Sequence, residues 1–108
     1  MPYYVYVLKC SDGSYYTGLA ADLEHRLLEH QQGVHPEAYT YNRRPIKLVW
    51  QQVTETYPEA FSWEHRIKGW SRAKKEALIR GDILGIHEIV KEERKQRDRN
   101  KRKIGNSR

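Results

Sequence analysis

The feature that most restricts how this chain can fold is a pair of short segments rich in aromatic and β-branched residues. They span residues 3–10 and 15–19 and are separated by the turn-forming sequence Ser-Asp-Gly-Ser. Segments of this composition on either side of such a turn predict a β-hairpin. The start of the chain should therefore form two antiparallel strands.

The length of the hairpin turn decides whether Tyr6 and Tyr16 share a face of the sheet. A two-residue turn would place the two side chains on opposite faces, whereas a three-residue loop ending at a left-handed Gly13 places both on one face. We predict the three-residue loop, which sets Tyr6 opposite Gly18 and lets both tyrosines reach one site. In this register, the missing side chain of Gly18 is expected to leave space for a substrate beside the Tyr6 ring.

A helix and a third strand are predicted to follow the hairpin. Asp22 can cap the helix and Gly33 can end it. Residues 34–44 then form the longest loop of the core, and loops of this length are often functional, although a polar surface loop is the equal alternative. In the next stretch, Ile46, Leu48 and Trp50 alternate with other residues and are expected to share one face of a strand.

Three further helices are predicted in the rest of the chain. Pro58 suits the first turn of the second helix, and Ser71 can cap a third helix that ends near Gly81. A fourth helix is expected from Leu84, without an expectation of order beyond Arg97. The apolar residues of the second helix recur at helical spacing and are expected in the core: Ala60, Trp63, Ile67 and Trp70.

This order of elements predicts an α+β fold, with a small three-stranded antiparallel sheet flanked by helices. We assign residues 1–82 to one domain and residues 83–108 to a C-terminal helix with a basic tail that is helical or disordered. The single cysteine, Cys10, excludes an internal disulfide and thiolate metal clusters. Neither an apolar run of membrane-spanning length nor a signal-peptide pattern is present, so we expect a cytoplasmic protein without a membrane partner.

The net charge of +6 comes entirely from the last 18 residues. Residues 1–90 hold 11 basic and 11 acidic side chains, whereas residues 91–108 hold nine basic and three acidic ones. A run of this kind is either a solvated segment or an electrostatic anchor on a phosphate backbone. Charge alone does not separate these two interpretations.

The candidate chemistry lies in two triplets and three single residues. The triplets are Tyr-Val-Tyr at residues 4–6 and Tyr-Thr-Gly at residues 16–18, and the single residues are Arg26, His30 and Glu64. In these positions the chain resembles the GIY-YIG endonuclease superfamily, and especially its small stand-alone YhbQ-like bacterial members. A pair of triplets is weak evidence by itself, but the joint spacing of five polar positions is a specific pattern.

The resemblance covers about residues 3–82 and implies the GIY-YIG nuclease fold. It further implies a metal-dependent nuclease that hydrolyses phosphodiester bonds of nucleic acid. The residues that match the superfamily's catalytic positions are Tyr6, Tyr16, Arg26 and His30, and Glu64 matches its metal ligand. Neither triplet matches the superfamily's signature at every position, because Tyr4 replaces a glycine and Thr17 replaces an isoleucine. In addition, Leu19 stands where several members, such as excision-repair incision nucleases, carry a lysine.

Phosphodiester hydrolysis calls for the same residue types on chemical grounds. Tyr6 could act as a general base only if nearby positive charge lowers its pKa from about 10, and it could otherwise orient water. Tyr16 is expected to hydrogen-bond a phosphate or a metal-bound water, and Arg26 to clamp the phosphate. His30 is a candidate for proton transfer or support, and Glu64 offers one hard oxygen ligand of the kind that suits Mg²⁺ or Mn²⁺.

Each of these expectations has an alternative. The same fold could bind nucleic acid without cutting it, Lys68 could hold Glu64 in a salt bridge, and Trp63 and Trp70 could serve a partner interface. The expected partner is nucleic acid, DNA more than RNA, recognised by its structure or backbone. No small-molecule cofactor is expected.

Overall fold

The central strand of the sheet is β1 (Tyr3–Lys9), which pairs with a strand on each side. The structure, a computed structural model, describes the backbone of residues 2–105 and the side chains of residues 2–99. In it, β2 (Tyr15–Ala20) and β3 (Lys47–Thr54) flank β1 in antiparallel orientation, in the order β2-β1-β3. The predicted α+β fold, with three antiparallel strands and flanking helices, is confirmed.

The hairpin between β1 and β2 has the predicted register. Tyr6 pairs with Gly18, and Leu8 pairs with Tyr16. Gly13 has a φ of 83°, in the left-handed region that favours glycine, and its N–H donates to the Cys10 carbonyl at 3.0 Å. The three-residue loop therefore places Tyr6 and Tyr16 on the same face of the sheet, as predicted.

The pairing of β3 contains a bulge that sequence analysis missed. Leu8 pairs with Leu48 and the preceding Val7 pairs with Trp50, which leaves Val49 as an extra residue. Neighbouring residues of β1 point to opposite faces, so Leu48 and Trp50 do as well. The prediction that these two share a face is wrong, because an alternating pattern does not reveal one inserted residue.

The first helix, α1 (Leu23–Gln32), begins and ends at the predicted residues. The Asp22 side chain accepts a hydrogen bond from the His25 N–H at 3.1 Å, and Gly33 ends the helix with a φ of 67°. Leu23 is buried against the sheet face that carries the two site tyrosines. The buried core on this side consists of Tyr6, Leu8, Cys10, Ala20, Leu23 and Ile46.

The second helix, α2 (Tyr57–Lys68), contacts all three strands. It turns Ala60 and Ile67 fully inward. Trp63, which was predicted in the core, is instead 42% exposed, and the Arg66 guanidinium lies 5.5 Å from the centroid of its ring. The small Ala60 and the aliphatic Ile67 occupy the centre of the buried face, and the large indole lies on its flank.

The chain divides into two compact units, residues 1–70 and the residues from Ser71 onward. The second unit contains α3 (Arg72–Arg80), with Ser71 as its predicted N-cap and Gly81 as its C-cap, and α4 (Ile83–Gly105). The functional domain boundary proposed after residue 82 stays a prediction. Within residues 2–105, no helix has the length and apolar character needed to cross a membrane.

Candidate active site

Tyr6 lies on β1 with no exposed surface, and its ring extends across Gly18 on β2. A Cβ at residue 18 would lie 2.4 Å from Cζ and from the hydroxyl oxygen of Tyr6, so glycine is what leaves room for the ring. The expectation that this space admits a substrate is wrong. The Tyr6 ring fills it by lying over the neighbouring strand.

A buried chain of hydrogen bonds fixes the Tyr6 hydroxyl. Tyr6 Oη is 3.0 Å from His30 Nε2, and His30 Nδ1 is 2.8 Å from Thr40 Oγ1. Burial, followed by the positive charge of Arg26, holds the pKa of His30 below its ordinary value of 6.5. His30 is therefore a neutral ring at neutral pH, held between two hydroxyl groups.

The environment of Tyr6 keeps its hydroxyl protonated. Burial is the largest cause of a raised pKa for Tyr6, and the neighbouring Tyr16 and Glu64 raise it further. Arg26 acts in the opposite direction through its charge and a hydrogen bond, but the net shift is upward. A general base would need the reverse shift. The base role predicted for Tyr6 depended on a lowered pKa. The structure gives the opposite shift, because burial raises this pKa more than the nearby guanidinium lowers it.

Tyr16 forms the half-buried aromatic wall of the site. Its ring centroid lies 5.3 Å from that of His30 and 6.3 Å from that of Tyr6. On its other side, the Tyr39 ring is stacked at 6.1 Å with an interplanar angle of 19°. Both predicted tyrosines therefore belong to one cluster, which a loop residue extends.

Arg43 connects that loop residue to the hairpin turn. Its guanidinium lies 3.8 Å from the centroid of the Tyr39 ring, and its Nε is 3.1 Å from Asp12 Oδ2. A second hydrogen bond runs from Nη1 to the Tyr39 carbonyl at 2.7 Å. The loop is thus attached to the hairpin turn by a charged and an aromatic contact.

Arg26 is the exposed cation of the site. It lies on α1 with 45% of its side chain exposed, and its Nε is 3.6 Å from Glu29 Oε1. Glu29 also pairs with His35 at 2.9 Å, and this hydrogen bond is the main reason that the pKa of Glu29 is below its ordinary value. The positive charge of Arg26 also acts on the buried Tyr6 hydroxyl, where it opposes the net rise in pKa.

Glu64 approaches the same cluster from α2. Its charge contributes to the raised pKa of Tyr6, and its side chain is 18% exposed. Oε1 is 2.8 Å from Lys68 Nζ, so the salt bridge considered as an alternative in sequence analysis is present.

Residues 2–77 match the GIY-YIG catalytic domain family. The chain belongs to the GIY-YIG family. It is 47% identical over 77 residues to a UPF0213 protein from Staphylococcus saprophyticus, a match that spans 71% of this chain and 93% of that protein. A UPF0213 protein from Staphylococcus aureus is 46% identical over 78 residues, or 72% of this chain and 94% of that protein.

A solved structure resembles this GIY-YIG chain as well. The solution NMR structure of the protein EF2693 from E. faecalis has 33% sequence identity and a TM-score of 0.55, over 78% of this chain and 88% of that one. The family match ends within α3. The fold and the nuclease family are thus established for the part of the chain that holds the site.

The donor set of the GIY-YIG site fits a metal ion only together with a substrate. Among the described residues, no group of three His, Cys, Asp or Glu side chains is arranged to hold a metal. Glu64 offers one carboxylate, and Mg²⁺ is commonly held by one or two carboxylates with water and substrate phosphate. A closed site built from protein ligands alone does not fit these residues.

The five residues that sequence analysis proposed for the site lie together in the structure, but sequence analysis missed the loop residues that contact them. Thr40 bonds His30, Tyr39 stacks on Tyr16, and Arg43 covers Tyr39. The length of the loop and its tyrosines and arginines were the available signal. They did not indicate which side chains point inward.

Proposed function

We propose that this chain is a metal-dependent endonuclease that hydrolyses phosphodiester bonds of DNA. The observation that supports the proposal most is the convergence of side chains from β1, β2, α1 and α2. Tyr6 bonds His30, its ring adjoins that of Tyr16, and the charges of Arg26 and Glu64 both act on it. Such a mixture of donors, one cation and one carboxylate suits a phosphate whose negative charge increases during the reaction.

Arg26 and Tyr16 are proposed to bind the phosphoryl group. The guanidinium is partly exposed and can make two parallel hydrogen bonds to phosphate oxygens. The half-buried Tyr16 can donate a further hydrogen bond. Tyr6 and His30 act as neutral groups, and not as charged acids or bases. Their role is to orient the group that forms a hydrogen bond with the Tyr6 hydroxyl.

Glu64 is proposed as the protein ligand of Mg²⁺ or Mn²⁺. When bound, the ion would polarise the phosphate and activate a water molecule. Lys68, 51% exposed, now neutralises the carboxylate and can turn toward a phosphate oxygen instead. When metal and substrate bind, the Glu64 carboxylate therefore has to release the Lys68 side chain and bind the metal ion instead.

We propose that this chain recognises the DNA backbone in preference to the base sequence. The net charge of +6 favours an anionic partner. Contacts to phosphates fix the position of the protein along the strand, but they do not distinguish one base sequence from another. A cytoplasmic enzyme that recognises DNA by structure or backbone is the form of the proposal that these features support.

A nucleic-acid-binding module without cleavage is the second candidate. Two observations favour it, namely the complete burial of Tyr6 and the salt bridge that occupies Glu64. Such a module would keep the binding surface and the fold but would not assemble the reactive geometry. Binding and cleavage must therefore be measured separately.

The deciding experiment uses end-labelled linear, flapped, branched and RNA substrates, each with Mg²⁺, with Mn²⁺ and with chelator. We expect metal-dependent cleavage of DNA that is lost in Arg26→Gln and kept in His25→Gln, an exposed neighbour on the same helix. Binding of all substrates without any product would establish the second candidate instead.

A further inference from the structure

Three aromatic side chains form an exposed row along α2. Tyr57, Phe61 and His65 are spaced four residues apart, so they are neighbours on the helix surface, and all three are exposed. Tyr57 is 50% exposed, and Phe61, the only phenylalanine in the sequence, is 52% exposed. We call these three residues the aromatic row. Single exposed rings are common on proteins, but a contiguous line of them indicates a binding surface.

The rings of the aromatic row contact one another. The centroids of the Tyr57 and Phe61 rings are 6.1 Å apart, and those of Phe61 and His65 are 6.0 Å apart with an interplanar angle of 12°. At the start of the row, the Tyr3 ring meets the Tyr57 ring edge-on at 5.6 Å. This arrangement exists before any ligand binds, which lowers the entropy cost of stacking a further ring on it.

The aromatic row borders the candidate metal ligand. Residues three and four positions apart are neighbours on a helix, so Glu64 has Phe61 on one side and Lys68 on the other. Its remaining two neighbours, Ala60 and Ile67, are fully buried. Glu64 thus lies between the buried stripe of α2 and the exposed aromatic row. A phosphate bound beside Glu64 would have Phe61 within one helical turn.

The charges on α2 favour an anionic partner at the C-terminal end of the row. The last turn carries the basic residues His65, Arg66 and Lys68, with the Lys68 side chain 51% exposed, whereas the first turn carries the acidic Glu59. Exposed rings beside cations are the combination that binds single-stranded nucleic acid, because the rings stack on unpaired bases and the cations pair with phosphates. Such stacking tolerates any base, in agreement with recognition of the backbone.

The shape of the aromatic row favours a strand over a protein partner. The row extends about 12 Å along the helix. It is one ring wide, because polar side chains border it, with Ser62 on one side and Glu64 on the other. An ordinary protein interface buries about 800 Å² on each partner, far more than a strip of this width offers. A narrow strand therefore fits the row better than a second copy of this chain does.

We propose that the aromatic row binds unpaired bases of a nucleic-acid strand, with Phe61 and His65 as the stacking surface and Lys68 as a contact to the phosphates. Base binding of this kind requires neither metal nor cleavage. It extends the proposed function, and rests on it, only in one respect: the substrate would carry a single-stranded segment next to the cleaved bond.

Two probes of equal charge separate stacking from electrostatic attraction. The first is a labelled dT oligomer of about 12 nucleotides, and the second is an abasic oligomer of the same length, which has the same phosphates but no bases. Fluorescence anisotropy with the full chain in excess chelator measures both affinities without cleavage. We expect the dT strand to bind about fivefold or more tightly. Equal affinities, or binding to neither strand, would overturn the proposal.

Substitutions at residue 61 test whether the ring is responsible. Phe61→Leu keeps an apolar side chain without the ring, and should weaken dT binding about fivefold while leaving abasic binding within about twofold. Phe61→Trp keeps a ring and should keep the preference. Trp63→Leu is the matched control, since Trp63 is 42% exposed on the nearly opposite side of the same helix. An unchanged preference in Phe61→Leu would mean that bases bind elsewhere, and the proposal would be wrong.

Sedimentation of the free protein tests the row as a contact between copies. A dimer that Phe61→Leu dissociates would assign the row to self-association and overturn the proposal. Because binding is measured without metal, a preference for dT in a protein that cleaves no substrate would refute the proposed nuclease but retain the inference. Cleavage by a protein without this preference would do the reverse.

Discussion

Two of the site residues, Tyr6 and His30, lie inside the protein, whereas Arg26 and Lys68 reach solvent. Burial disfavours the charged form of an ionisable side chain, so the pKa of Tyr6 is raised and that of His30 is lowered. Both side chains are neutral near neutral pH. The charges available for catalysis are thus on the exposed residues, whereas the buried residues fix the direction of hydrogen bonds.

The lowered pKa of His30 predicts how stability depends on pH. Its ring binds a proton more readily in the unfolded chain, so the free energy of unfolding is undiminished above about pH 6.5 and falls as the pH drops toward the lower folded-state pKa. Urea unfolding across this window should show the decline in the wild type and in His65→Gln, an exposed control. His30→Gln should lack it, and an unchanged decline there would show that another group is responsible.

Removal of the Glu64 charge should abolish metal-dependent cleavage. Glu64→Gln keeps the side-chain shape, and we expect kcat/KM to fall about 100-fold or more, because the single candidate ligand is lost. Glu59→Gln, on the first turn of the same helix, should have no effect. Lys68→Met removes the competing cation and should lower the Mg²⁺ concentration needed for half-maximal activity. Undiminished cleavage by Glu64→Gln would exclude the metal role.

At the scale of elements, turn chemistry was predictable and strand irregularity was not. Gly13 and its neighbours fixed the hairpin register, because a left-handed residue at that position has few alternatives. The bulge at Val49 reversed the face of Trp50, and Trp63 lay on a flank that helical spacing does not distinguish from the core. Both misses concern packing between elements, which a periodic pattern in one element does not contain.

The contact between β1 and β2 predicts a strong effect of Gly18→Ala. The new Cβ would meet the buried Tyr6 ring at 2.4 Å, so the ring must move and its bond to His30 must lengthen. We expect a loss of about 1–3 kcal/mol in the free energy of unfolding, as for other overpacked cores, together with a loss of cleavage. Denaturant titration and a single-turnover assay measure the two effects.

Gly69→Ala provides the control for that substitution. At Gly69 the φ is −83°, and the nearest atom to an added Cβ is the Arg66 carbonyl oxygen at 3.5 Å, an ordinary contact. This variant should retain stability and activity. Equal effects of the two substitutions would mean that the Tyr6 contact is not the cause.

For the whole molecule, the main feature is that the candidate site and the excess positive charge lie in different parts of the sequence. The site lies in residues 1–70, and the excess positive charge lies in residues 91–108. The sequence predicted which residues gather at the site, because their spacing matched a family. It did not predict Thr40 or the burial of Tyr6, since both follow from how the loop and strands pack.

Removal of Asp98–Arg108 should weaken binding and leave chemistry intact. This segment carries five basic residues and one acidic residue. If it contacts phosphates, its loss should flatten the dependence of log Kd on log salt by up to about four counterions for duplex DNA. The single-turnover rate of bound substrate should stay nearly unchanged. An identical salt slope would mean that the tail does not act as an anchor.

The central position of β1 also determines the order in which the site comes apart. β1 is hydrogen-bonded to a strand on each side, so its amides can exchange with solvent only when the sheet itself opens. Tyr39 lies in a loop, where local fluctuations open more easily. Heating would therefore detach Tyr39 from the Tyr16 ring while Tyr6 still lay over Gly18, and partial thermal damage would be reversible for as long as β1 persisted.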